Sequence, residues 1–180
     1  LTWNQKPINT VYHATNGGVM ASVDESWSIN QVPYLQMRLD GPKHWSRKVD
    51  LPLSNEKYLK SFLFSESEAY GSDHPLFRWN RTLESYQLSK QLNQAKKVIG
   101  PFYPEKIKAV TRGRSGRVTS LKIEGNTGSE IVLKLDDIRR VLRQLPSTLF
   151  VVKEIKEGKW LFSGGGFGHG AGMSQSGAIE

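Results

Sequence analysis

A run of glycines near the end of the chain constrains the fold more than any other feature of the sequence. Seven of the fourteen residues from 164 to 177 are glycine. Glycine loses the most backbone entropy on ordering, so this run predicts neither a helix nor an ordinary strand. Because glycine lacks a Cβ, it permits positive φ and lets a ligand or another chain lie directly on the backbone. The run therefore predicts a binding loop in which His169, Ser174 and Gln175 offer the polar groups.

A flexible linker is the alternative interpretation of the run. Linkers are filled with serine and charged residues, whereas Phe167, His169 and Met173 stand singly between the glycines, which favours a site. The phosphate-binding patterns G-x-x-x-x-G-K-[ST] and G-x-G-x-x-G are absent from the sequence. Neither Ser174 nor Ser176 lies in G-x-S-x-G, which argues against a hydrolase nucleophile at this position.

The charge balance favours an anionic partner. The chain of 180 residues has 25 Lys and Arg against 17 Asp and Glu, a formal net charge of +8. These cations are scattered rather than massed in one stripe, so nucleic acid is not the expected partner. The chain has no cysteine, which excludes disulfides and thiolate metal sites, and we expect no cofactor and no metal. No window approaches eighteen apolar residues, so no membrane span is expected.

Strand and helix patterns alternate with turn signals and predict an α+β fold, mainly antiparallel β with a few short helices. We expect one domain with a small α/β lobe: a groove-forming part at 1–77, a helix-plus-meander lobe at 78–148, and a strand pair with the glycine-rich loop at 149–180. Strands are predicted at 10–13, 77–81, 107–111, 117–123, 130–135, 149–155 and 159–162, with turns at 16–18 and 125–128. Helices are predicted at 55–64, at 138–145, and where Leu88, Leu92, Ala95 and Ile99 form one apolar face.

Two of the four histidines stand beside glycine-bearing turns. This placement predicts that solvent reaches the imidazoles of His13 and His169, where either could transfer a proton near neutral pH or bind sugar hydroxyls. His44 and His74 lie in predicted loops and are expected at the surface. The zinc motif H-E-x-x-H is absent, although a zinc site assembled from distant residues stays open.

Four segments resemble a known family. Residues 164–178 resemble the closing signature of the SpoIID/LytB family, which typically reads G-x-G-[WF]-G-H-G-x-G-M-S-Q-x-G-A. Residues 12–18 are similar to its Y-H-[SA]-[ST]-x-G-G, and an acidic and tryptophan segment follows at 25–27. Residues 114–118 resemble its S-G-R-V hairpin, and residues 147–150 its S-x-x-F approach. The matches are in family order and span nearly all of the chain.

The resemblance implies an extracytoplasmic protein of the bacterial cell envelope that acts on peptidoglycan glycan strands. Members are lytic transglycosylases, which cleave the MurNAc–GlcNAc linkage to a 1,6-anhydro product, or enhancers of cell-wall amidases. Lytic transglycosylase activity in the complete protein is our main interpretation. The alternative is a non-catalytic peptidoglycan-binding module or an enhancer of a cell-wall amidase. An amidase or another envelope protein is then a further partner.

The resemblance also implies the site residues. His169 takes a supporting catalytic role, and the glycan contacts fall to Tyr12, His13, Thr15, Asn16, Gly17, Gly18, Gly168, His169, Gly170, Gly172, Ser174 and Gln175. The family's general acid is a glutamate in a segment resembling P-x-E-A-L-K-A-Q-A-V-A-A-R-T-Y, which precedes the Y-H motif and has no counterpart in this sequence. We expect that this segment has been cut away or lies on another chain; otherwise this member binds without cleaving.

Overall fold

The computed structural model describes residues 1–126 and 128–179. These residues form short helices and small, mostly antiparallel sheets, which confirms the predicted α+β class. Thr127, inside the predicted turn at 125–128, and Glu180 lie outside the described residues. The strands are β1 (Thr2–Trp3), β2 (Lys6–Pro7), β3 (Tyr12–His13), β4 (Val19–Met20), β5 (Arg38–Leu39), β6 (Arg78–Glu84), β7 (Pro104–Arg112), β8 (Val118–Gly125), β9 (Glu130–Lys134), β10 (Phe150–Lys156), β11 (Lys159–Gly165) and β12 (Met173–Ser174). The helices are α1 (Lys43–Ser46), α2 (Glu56–Phe64), α3 (Ser85–Gln94) and α4 (Asp137–Val141), and a 3₁₀ turn spans Val23–Glu25.

Helix α2 agrees with the helix predicted at 55–64, and its start is set by Asn55. The Asn55 side chain accepts a hydrogen bond from Lys57 N–H at 3.0 Å, an N-cap contact that satisfies a free backbone donor. Helix α4 is shorter than the helix predicted at 138–145. It ends at Val141 because Leu142 leaves the helical conformation, with φ −88° and ψ 69°.

The apolar face predicted to run through Ile99 is wrong at its last position. Helix α3 ends at Gln94, Lys96 adopts a φ of +53°, and Lys97 N–H donates to Leu92 O at 2.9 Å. Helices commonly end in this way, with a residue in the left-handed conformation just after the last helical turn. Leu92, inside the helix, is fully buried. Ile99 lies beyond the end of the helix and is 104% exposed.

Strands β7, β8 and β9 form the predicted antiparallel meander. Their side chains alternate between core and solvent, as the two-residue period of a strand requires. In β9, Ile131 and Leu133 are buried and Val132 between them is exposed. The inward residues belong to the larger of two apolar clusters, which also contains Trp160 and Phe162.

The smaller apolar cluster is formed mainly by residues from the first 77 positions, among them Val19, Trp45, Leu59 and Phe77. It also contains Leu149, at the start of the final strand pair. The divisions expected after residues 77 and 148 stay predictions.

Strand β11 carries the chain into the glycine run and lies between β10 and β6, antiparallel to both. Gly164 and Gly165 are part of this strand, which corrects the expectation that the run excludes an ordinary strand. A Cβ at Gly164 would collide with the Trp79 ring and the carbonyl oxygen of Leu149. The missing side chain is thus what lets the strand pack closely here.

Two short ladders hold the segments around the rest of the run. Strand β12 pairs in parallel with β3, which places Met173 beside Tyr12 and Ser174 beside His13. Strand β3 covers only part of the strand predicted at 10–13. Strand β4 pairs antiparallel with β5. The ladders therefore bring together residues that are far apart in sequence.

Candidate functional site

The two principal sequence motifs lie against each other in the structure. We call residues 12–18 the histidine loop and residues 164–178 the glycine segment. Phe167 N–H donates to Thr15 O at 2.8 Å, and Thr15 N–H donates to Phe167 O at 3.4 Å. Farther along, Gln175 N–H donates to His13 O at 2.9 Å. Backbone hydrogen bonds at two places thus join the motifs to which the sequence analysis assigned the site.

The glycines of this segment permit close packing against the chain's own residues. A Cβ at Gly170 would overlap the Arg117 guanidinium, and one at Gly172 would overlap the carbonyl oxygen of Val11. Both glycines have positive φ, 82° and 76°, where an L side chain is strained. The sequence analysis expects a ligand or another chain on this backbone. At these two positions the neighbour is the same chain, and contact with glycan stays a prediction.

His13 is buried, with 4% of its surface exposed, which corrects the expectation that solvent reaches it. Gly168 covers it, because a Cβ there would lie 2.9 Å from His13 Cβ. Nδ1–H donates to Ala171 O at 3.1 Å, while Nε2 is buried and has no hydrogen-bond partner among residues 1–126 and 128–179. Burial lowers the pKa of His13 to about 3, with a further contribution from the Arg117 guanidinium. The ring is therefore neutral at physiological pH.

His169 is half-buried, so one of the two imidazoles is partly open to solvent. Its Nε2–H donates to Tyr12 O at 3.0 Å, and its Nδ1 accepts from Ala171 N–H at 3.1 Å. Its ring centroid lies 5.4 Å from that of His13 and 4.6 Å from that of Trp27. Burial lowers the pKa of His169, and the hydrogen bond to Tyr12 partly opposes this shift. The neutral imidazole has both nitrogens occupied and ties the glycine segment to the histidine loop.

Arg117 is fully buried behind the histidine loop and was not predicted as a site residue. Its guanidinium donates to Val19 O and to Asn16 O, both at 3.0 Å. The Ser115 hydroxyl connects it to Glu25, since it lies 3.4 Å from Arg117 Nη1 and donates to the Glu25 carboxylate. Burial lowers the pKa of Arg117 to about 10, and the charge of Glu25 opposes this. The guanidinium therefore stays charged and braces the loop from inside.

The other predicted residues divide between structural positions and the surface. Asn16 is buried, and its Oδ1 accepts from Gly18 N–H at 2.8 Å, which closes the predicted turn. Thr15 and Ser174 are also buried. Tyr12 is 62% exposed, and Gln175 lies at the surface. The glycan-binding role of all these residues stays a prediction.

A cleft of about 290 Å³ opens beside the histidine loop. Its walls combine Asn16 and Ser174 with Arg38, Asp40 and Met20, three residues that the sequence analysis did not single out. No local motif marks these three. The ladder between β4 and β5, which joins segments that are separate in sequence, brings them to the site.

Within residues 1–126 and 128–179, no three His, Asp or Glu side chains come close enough together to hold a metal ion. In the same part of the chain, no helix has the length and apolar character needed to cross a bilayer.

Comparison with known proteins finds a matching domain family and a curated relative. The model of a family described as a domain of unknown function, DUF8618, matches residues 21–172. A protein of Bacillus subtilis (strain 168) named amidase enhancer is 27% identical to this chain. That alignment covers 99% of this chain but only 27% of the relative, so the chain spans about a quarter of that protein's length.

Proposed function

The chain belongs to the domain family DUF8618, whose function is unassigned, and from its site and its relative we propose that it is a peptidoglycan-directed module of the amidase-enhancer type. It binds glycan strands of the bacterial cell wall and increases the action of a cell-wall amidase on them, outside the cytoplasm. The observation that carries this proposal is the similarity to the amidase enhancer along 99% of the chain.

The arrangement of the two motifs supports the same proposal. The histidine loop and the glycine segment resemble two separate signatures of the SpoIID/LytB family, and they are hydrogen-bonded to each other. Tyr12 and the half-buried rings of Trp27 and His169 give this junction an aromatic surface. Aromatic faces of this kind pack on the apolar faces of sugar rings.

The charge of the chain also suits this ligand. A glycan strand stripped of its peptides keeps the lactyl carboxylate of every N-acetylmuramic acid. A chain with a formal net charge of +8 attracts such a polyanion, and salt screens the attraction over about 10 Å at 0.1 M.

A second candidate is the lytic transglycosylase, favoured by the match of residues 164–178 to the family's closing signature. In that reaction the muramyl 6-hydroxyl attacks its own C1 and the bond from C1 to the leaving O4 breaks. One carboxyl group protonates O4 and then accepts the hydroxyl proton. Intramolecular attack supplies an effective molarity on the order of 10⁵ M or more, so a second carboxylate is not needed. His169, bonded to Tyr12 O, would hold the site in place rather than transfer the proton.

The test is an amidase assay on purified sacculi that carry a covalent dye. We expect the protein to raise the initial rate of dye release by a cell-wall amidase and to co-sediment with the sacculi. Tyr12→Ala and His169→Ala should weaken both effects, while Lys90→Gln, at an exposed position on α3, should change neither. Thermal melting of each variant separates lost binding from lost folding. Tyr12→Ala should keep its melting temperature, because the ring that it removes is mostly exposed.

The outcomes separate the two candidates. Stimulation of the amidase with no change in the glycan strands supports the enhancer. Release of 1,6-anhydro sugars by the complete protein, with the segment that carries the general acid and without the amidase, supports the transglycosylase; mass spectrometry detects these products. A protein that neither binds sacculi nor alters amidase activity contradicts both.

A further inference from the structure

The cleft beside the histidine loop has the size of a site for one small ligand unit. Its volume of about 290 Å³ lies near the lower end of the range for such sites, roughly 300 to 1,000 Å³. It is bounded on one side by residues 38–40 and on the other by residues 172–178 of the glycine segment. One wall of the cleft is therefore formed by the segment that carries the most specific sequence motif.

Arg38 and Asp40 project into this region from the same face of one extended segment. The pairing of β4 with β5 continues by one residue, because Asp40 N–H donates to Gly18 O at 2.9 Å. Side chains two residues apart in an extended strand point to the same side. Met20 stands opposite Arg38 in the ladder and shares that side. A cation, a carboxylate and an apolar side chain thus occupy one wall.

The two charged groups keep hydrogen-bonding capacity for a ligand. Arg38 is exposed and forms no salt bridge with any residue in the described ranges 1–126 and 128–179. Asp40 Oδ2 accepts from Asn16 Nδ2–H at 2.6 Å, which fixes the direction of the carboxylate. No residue in those ranges donates a hydrogen bond to its second oxygen, Oδ1.

We propose that this cleft binds a single sugar unit that carries a carboxylate. Arg38 receives the carboxylate through charge-assisted hydrogen bonds, and Asp40 Oδ1 accepts a ring hydroxyl. Met20 and Met173 contact the apolar face of the ring. This inference rests on the proposed function and identifies the unit of a peptidoglycan strand that the site selects, the sugar with the lactyl group.

The pair of opposite charges provides the selectivity. A neutral sugar leaves Arg38 without its partner, and a ligand with a second carboxylate meets repulsion from Asp40. A carboxylate on one side of the ring and hydroxyls on the other satisfy both groups. Asn16, in the histidine loop, connects the cleft to Arg117: its backbone oxygen accepts a hydrogen bond from Arg117, and its side chain donates one to Asp40.

The experiment compares two probes of equal length by titration: peptide-free glycan strands with lactyl carboxylates, and chito-oligosaccharides, which lack the lactyl group. We expect the protein to bind the lactyl strands about tenfold more tightly. Arg38→Gln should remove that preference and leave the affinity for chito-oligosaccharides unchanged. Asp40→Asn should lower the affinity for both probes, because its amide can still face Asn16 but an acceptor is lost. Lys90→Gln removes an equal charge elsewhere and should keep the preference.

Each other outcome is decisive. If Arg38→Gln keeps the preference while the unsubstituted protein binds sacculi, the cleft is not the selecting site and the proposed function stands. If Lys90→Gln loses the preference as fully as Arg38→Gln does, net charge explains the selectivity and the inference is wrong. If the unsubstituted protein binds neither the two probes nor sacculi, the proposed function fails as well.

Discussion

The guanidinium of Arg117 packs directly against the Cα of Gly170, so closely that even a methyl group at residue 170 would overlap it. This contact joins the buried cation to the glycine segment. The same guanidinium donates to Asn16 O in the histidine loop. Arg117 therefore holds both halves of the candidate site in register.

Gly170→Ala is predicted to destabilise the protein more than a matched glycine substitution. Gly170 and Gly100 both have positive φ, 82° and 90°, but no atom of the described part of the chain, 1–126 and 128–179, lies within 4 Å of a Cβ at Gly100. Backbone strain alone should cost about 1 to 2 kcal/mol in Gly100→Ala. Overlap with Arg117 should add about 2 kcal/mol in Gly170→Ala. Urea unfolding of the two variants measures this difference, and equal costs would show that residue 170 has space around it.

The carboxylate of Glu25 is predicted to stabilise the buried positive charge of Arg117. Glu25→Gln can keep the hydrogen bonds to Ser115 but removes the negative charge that opposes the effect of burial on Arg117. We expect a loss of about 3 kcal/mol in the free energy of unfolding. The same change at Glu56, which forms a surface salt bridge of 2.6 Å with Lys60, should cost about 0.5 kcal/mol. Similar values for the two variants would mean that the buried guanidinium does not depend on Glu25.

The buried, neutral imidazole of His13 should make the stability of the protein fall in mild acid. Its pKa is lowered from 6.5 to about 3 by burial, so between those values the unfolded chain binds a proton that the folded chain does not. The free energy of unfolding should fall as the pH drops through this window, by up to about 1.4 kcal/mol per unit, and this contribution should stop growing below about pH 3. His169, whose pKa is also lowered by burial, acts in the same direction.

The control for this pH effect is His13→Asn, in which the amide can still donate to Ala171 O. Chemical unfolding from pH 7.5 to pH 4 should give a shallower fall in stability for this variant than for the unsubstituted protein. Parallel curves would show that His13 takes up its proton equally in the folded and unfolded chains.

Because helix α3 ends before residue 99, substitutions at Leu92 and Ile99 should affect the free energy of unfolding very differently. Leu92 is fully buried, so Leu92→Ala should lower the free energy of unfolding by about 2 to 5 kcal/mol. Ile99 is fully exposed, and Ile99→Ser should change it by no more than about 0.5 kcal/mol. Thermal or urea unfolding distinguishes the two, and a large cost at Ile99 would place that residue in the core.

The sequence predicts the local parts of this structure well. Helix α2 agrees with the helix predicted at 55–64, and the meander follows from the predicted strands separated by glycine turns. These signals lie within a few residues of one another, so each can be recognised without knowing the rest of the fold. The end of α3 is different, because the left-handed conformation of Lys96 has no signal as strong as a glycine.

The interior of the candidate site could be predicted only in part. The glycine segment shows that something must approach the backbone closely, but not whether this is a ligand or, as at Gly170, the side chain of Arg117. The burial of His13 has the same origin, since it depends on Gly168 at the other end of the chain. Arg38 and Asp40 carry no motif and reach the site through a strand ladder. Contacts between distant residues set each of these features.

The most direct test of the account is amide hydrogen exchange of the protein with and without peptide-free glycan strands. The account predicts slower exchange in the histidine loop at 12–18, at residues 38–40 and along the glycine segment at 164–178. It predicts unchanged exchange in helix α3 and in the outer strand β9. Protection confined to other surfaces, or no protection at strand concentrations that saturate binding, would contradict the claim that this junction is where the protein contacts the cell wall.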